Sequence, residues 1–71
     1  METKRNLMDL YRRLSRMGEY KVARNILHLL MQGSILLMDL SDTDQQTKYL
    51  LEDMGISVWT LSNGWIQAKI A

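Results

Sequence analysis

The chain has no cysteine, no proline and no phenylalanine, and only one histidine and four glycines among its 71 residues. Each shortage closes a route. Without cysteine there is neither a disulfide staple nor a thiolate zinc site, and a single imidazole cannot build a histidine metal cluster. A serine or threonine nucleophile needs a base oriented beside it. His28, the sole imidazole, falls in the polar strip of a helix with Lys21 and Arg24. The glycines, at 18, 33, 55 and 64, are too dispersed for a phosphate-binding loop, and each falls at a helix end or a turn. No enzyme, no cofactor and no metal is expected.

Long apolar runs are missing too. Ile26 to Leu40 is interrupted by His28, Gln32 and Asp39 and is shorter than the roughly 20 residues a membrane span needs. No basic segment followed by an apolar one opens the chain, so the expectation is a cytoplasmic protein without membrane contact. A single domain this small buries only about 60% of the surface its unfolded chain exposes, so its core is thin. With no covalent staple, good packing or self-association must compensate.

What is present is a legible order of elements. The clearest signal is Asn63-Gly64 between two apolar-rich runs, Ile56 to Leu61 and Trp65 to Ile70, which predicts a β-hairpin. A two-residue turn at Asn63-Gly64 opposes Leu61 to Ile66 and Trp59 to Ala68. Trp59, Leu61, Ile66, Ala68 and Ile70 then form the core side; Val58, Thr60, Ser62, Trp65, Gln67 and Lys69 form the wet side.

Upstream, Leu7, Leu10, Tyr11, Leu14 and Met17 fall at spacings of three and four, a helical stripe over about 3–17. Gly18 ends it, and a second helix over about 19–32 buries Val22, Ala23, Ile26, Leu27 and Leu30, with Leu29 and Met31 widening the stripe. The short apolar run at about 35–40 is read as a strand. Ser41 or Thr43 can cap a third helix over about 42–54, whose buried face is Thr47, Leu50, Leu51 and Met54. Gly55 stops it, and Ile56 is placed for the apolar contact of a Schellman cap. The fold class is α+β: an antiparallel helical hairpin, then β-α-β-β, with a C-terminal hairpin completing a three-stranded sheet. The first strand can pair in parallel through a β-α-β crossover or antiparallel with the last strand, and the sequence leaves both open.

Charge is balanced overall at +1 but divided along the chain: residues 1–24 hold seven Lys/Arg and three Asp/Glu, residues 25–71 two and five. Six of these seven cations, Arg5, Arg12, Arg13, Arg16, Lys21 and Arg24, mark a face for nucleic acid or an acidic partner, or else a solvated helix surface. The acidic run Asp39, Asp42 and Asp44 lacks the spacing of a calcium loop and suits a helix N-terminus instead. Thr43 to Leu51 followed by a hairpin resembles the second half of a winged helix. That resemblance implies nucleic-acid binding through the third helix, against which stand Asp42, Asp44, Glu52 and Asp53 facing Lys48 alone.

Trp65, with Gln67 and Lys69 beside it on the wet side, is the candidate partner-binding group, because tryptophan is enriched in interface hot spots. The resulting expectation is a small non-enzymatic binding module, of inhibitor or adaptor type. It docks onto a protein partner or onto itself as a homo-oligomer. The alternative is a nucleic-acid-binding regulator that uses the basic helical hairpin or a degenerate winged helix.

Overall fold

The computed structural model describes residues 2–70. Three helices and three strands follow in the expected order: α1 (Glu2–Arg16), α2 (Tyr20–Gln32), β1 (Ser34–Met38), α3 (Asp42–Asp53), β2 (Ser57–Thr60) and β3 (Trp65–Lys69). The sheet order is β1-β3-β2, with β3 antiparallel to both neighbours. This settles the pairing of the first strand. β1 and β2 run parallel to each other, joined through α3, and β3 fills the gap between them, a split β-α-β arrangement.

α2 packs against α1, α3 and β1, and α3 packs against β1 and β2, so the helices cover one face of the sheet. The core lies between these layers. Leu7, Leu10 and Leu14 of α1 meet Val22, Ala23, Ile26 and Leu29 of α2, with Leu51, Ile56 and Ala68 closing the cluster. Two residues expected in the helical core stripes are exposed, and a third, Leu27, is only partly buried and lies outside the cluster. Met17 sits beyond the end of α1, in the connection to α2, and is 72% exposed. Met31 is two residues from Leu29, about 200° around the helix, and points to solvent while Leu29 is fully buried.

A polar junction ties the helical layer to the end of β1. Ser41 caps α3 by accepting from the Asp44 backbone N–H at 3.3 Å. The Asp44 carboxylate accepts from the Asn25 side-chain amide at 2.8 Å and from the Met38 backbone N–H at 2.7 Å. The same Asn25 amide donates to the Thr47 hydroxyl at 3.0 Å, and that hydroxyl donates to the Thr43 carbonyl at 2.9 Å. Thr47 is the one polar side chain described as fully buried, and it is satisfied.

The hairpin forms where expected, with a different register. Leu61 opposes Trp65: the Leu61 N–H donates to the Trp65 carbonyl at 2.7 Å, and the Gly64 N–H donates to the Leu61 carbonyl at 3.0 Å. The loop therefore has three residues, Ser62, Asn63 and Gly64. Only Gly64 has positive φ, at 89°, and Asn63 does not. This is the type I turn closed by a glycine bulge, whereas a two-residue type I′ turn needs positive φ at both central positions.

Register pairs Ser57 with Lys69, Val58 with Ala68, Trp59 with Gln67 and Thr60 with Ile66. Trp59 and Leu61 thus leave the core side and Val58 joins it, packing partly buried against the core. The cause lies at the end of α3. The Ile56 N–H donates to the Leu51 carbonyl at 3.0 Å and the Gly55 N–H to the Glu52 carbonyl at 2.9 Å, with Gly55 at φ 77°. These are the two bonds of a Schellman motif, which fastens Ile56 inward beside Leu51. With Ile56 in, a period of two places Val58 in and Trp59 out.

The open face of the sheet as candidate functional site

The face of the sheet turned away from the helices has three cross-strand rows. Ser34, Lys69 and Ser57 form one end row, Leu36, Gln67 and Trp59 the middle row, and Met38 and Trp65 the other end row, with Leu61 opposite Trp65. Four of these side chains are large, apolar and solvent-exposed: Leu36 at 54%, Met38 at 48%, Trp59 at 40% and Trp65 at 38%. The inner-facing neighbours on the same strands, Leu37, Ile66 and Ala68, are buried. Trp59 and Trp65 sit on adjacent strands, displaced diagonally by two residues, where large side chains are within reach of each other. Such a contiguous patch differs from a scattered exposed leucine, which needs no explanation.

Charge on this face is sparse. Lys69 stands at one end; at the other, Asp39 and Leu40 follow β1 and, with Met38, Asn63, Gly64 and Trp65, line a shallow depression of about 320 Å³. Leu40 is 93% exposed. Trp65, Gln67 and Lys69, expected together on the wet side, are together here. Sequence reasoning missed Trp59, Leu36 and Met38. For Trp59 a signal existed, in the parity that Ile56 imposes. For Leu36 and Met38 there was none, because every residue from Ile35 to Met38 is apolar and no alternation separates the faces.

The helical cations occupy a separate surface. Arg5, Arg12 and Arg16 lie on the side of α1 opposite Leu7, Leu10 and Leu14, and Arg13, Lys21 and Arg24 are also exposed. Among the described residues the ion pair found is Arg12 with Asp9, at 3.9 Å between exposed groups and so worth little. The acidic run does not converge. Asp44 is engaged with Asn25 and Met38, whereas Asp39 and Asp42 are exposed. Among the described residues no three His, Asp or Glu side chains come together as a metal site, and no helix is long and apolar enough to cross a membrane.

Compared with protein-family models, with curated proteins and with solved structures, the chain matches none.

Proposed function

We propose that this protein is a small binding module that works by docking the open face of its sheet onto an apolar protein surface, and that it acts by binding and not by catalysis. One observation carries the reading. Two tryptophans, a leucine and a methionine share an exposed face while the same strands bury their other face under the helices. Tryptophan at the centre of a desolvated contact is the commonest kind of hot spot, and methionine adapts to an irregular partner surface. With Lys69 as its one cation and Asp39 at its end, this face lacks the positive groove that single-stranded nucleic acid follows.

A photo-crosslinking side chain placed at Trp59 or Leu36 tests the reading in the cells that make the protein. Adducts should form from these two positions and not from Met31, which is on the helical side and more exposed than either. Equal yields from both sides, or none from the sheet, would refute it.

A second reading has its own support: Arg5, Arg13, Arg16, Lys21 and Arg24 have no carboxylate partner among the described residues. Such a surface suits phosphate. If nucleic acid binds there, log K falls linearly with log salt, by about 0.9 per phosphate contacted, and Arg13→Ala with Arg16→Ala reduces that slope. An affinity indifferent to salt removes this reading.

A further inference from the structure

We propose that the occupant of the open face is a second copy of this chain, packed sheet to sheet about a two-fold axis that runs across the strands along the Leu36–Gln67–Trp59 row. The inference rests on the docking reading and adds the partner. Its first support is the distribution of charge. Lys69 lies at one end of the face and Asp39 at the other, beside Trp65. A two-fold axis across the strands reverses the rows, so each copy's Lys69 comes over the other's Trp65 with Asp39 next to it. Opposite charges meet, and the ammonium gains an indole face. An axis along the strands would instead set Lys69 against Lys69.

The middle row gives the second support. Gln67 sits on the central strand in the central row, between Leu36 and Trp59, at the position where the axis passes. An amide carries donor and acceptor alike, so it can pair with its own copy, whereas an ionised group there would repel itself. On either side of the amide, Trp59 meets Trp59 and Leu36 meets Leu36, which completes an isologous apolar contact. Face-to-face sheets pack about 10 Å apart with strand directions within about 30° of each other, which keeps the rows in register over so short a sheet.

Size sets the affinity. Three strands about 4.8 Å apart and five residues of about 3.3 Å rise give a footprint of roughly 15 by 17 Å. That is about 250 Å² per copy and about 500 Å² in all, below the roughly 1,200 Å² of standard interfaces, so the dimer is a weak, transient one that forms in the high micromolar range.

Charge reversal in the purified full chain tests the axis. Lys69→Glu and Asp39→Lys each place like charges together in the reversed-row dimer, and both positions are exposed, so the variants should fold as the wild type does. Sedimentation should show a high-micromolar dimer for the wild type and a roughly tenfold weaker one for each single variant. The double variant should recover the wild-type affinity. A wild-type chain that stays monomeric throughout the micromolar range overturns the proposal, as does a double variant no better than the singles. A monomeric chain that still crosslinks from Trp59 to a different protein would discard the dimer and keep the docking reading; loss of the crosslinks as well would discard both.

Discussion

The two faces of the sheet are made from the same strands and both carry large apolar side chains, yet one is sealed and the other open. On β1, Leu37 is fully buried and Leu36, its neighbour, is 54% exposed. On β3, Ile66 and Ala68 face the helices while Trp65 faces solvent. Hydrophobicity therefore does not decide which residues form this core; parity does, and parity is imposed from outside the sheet. Ile56 is fixed inward by the cap of α3, and the Asp44 junction holds the end of β1 against α3 and α2. The apolar residues of the opposite parity are left exposed.

Paired substitutions put this contrast to the test. Leu37→Ala should destabilise the fold by about 2–5 kcal/mol, the usual range for emptying a buried leucine site, while Leu36→Ala should cost less than about 1 kcal/mol in the monomer. Urea unfolding of the two variants at low concentration measures the difference, and equal losses would mean the faces are not distinct. Asp44→Ala removes the acceptor of the Asn25 amide and the Met38 N–H together, for an expected loss of about 1–3 kcal/mol. Asn25→Ala should then add little on top of it, because the two act through one junction; full additivity in a double-mutant cycle would show that they do not.

Gly55→Ala strains a residue held at φ 77°. About 1 kcal/mol is expected. If parity is set at this cap, the variant should also raise the mobility of the Trp59 ring, read as a fall in fluorescence anisotropy.

The smallest expected effect is the most discriminating. Deleting Ser62 leaves Asn63-Gly64 as a two-residue turn between Leu61 and Trp65, which keeps the observed pairing and suits a type I′ geometry. Stability should change by less than about 1 kcal/mol, and in the dilute monomer acrylamide should reach both indoles before and after the deletion. Protection of Trp59 in the shortened chain would show that the loop, and not Ile56, chooses the register.

Helices, strands and their order were readable because each carries a local signal: the stripe Leu7, Leu10, Leu14, the stops at Gly18 and Gly33, the Ser41 cap, the Asn63-Gly64 corner. The site was readable only in part. Asn-Gly suits both a two-residue and a three-residue loop, and the choice between them reverses every side chain of β2. Trp65 was correctly placed outward because both loop geometries leave the faces of β3 alike. Trp59 was not, since its direction depends on Ile56 packing against Leu51, a contact between a helix end and a strand start. Asn25 read as one more polar residue of α2; its bond to Asp44, nineteen positions away, has no local signature.

The Asp44 contact with Met38 also bears on how far association can proceed. In β1 the Gly33 carbonyl accepts from Ile70, so residues of that odd parity bond to β3, and the Met38 N–H points to the free edge, where the Asp44 carboxylate occupies it. A carboxylate on the outward N–H blocks an incoming strand at that end of β1, and the opposite edge, β2, offers only four residues. Growth strand by strand would be open-ended and lead to fibres. Contact through a single face closes on itself once two copies have met. The carboxylate that anchors α3 to β1 thus also hinders edge-wise polymerisation, and the proposed dimer, meeting face to face, would stop at two copies.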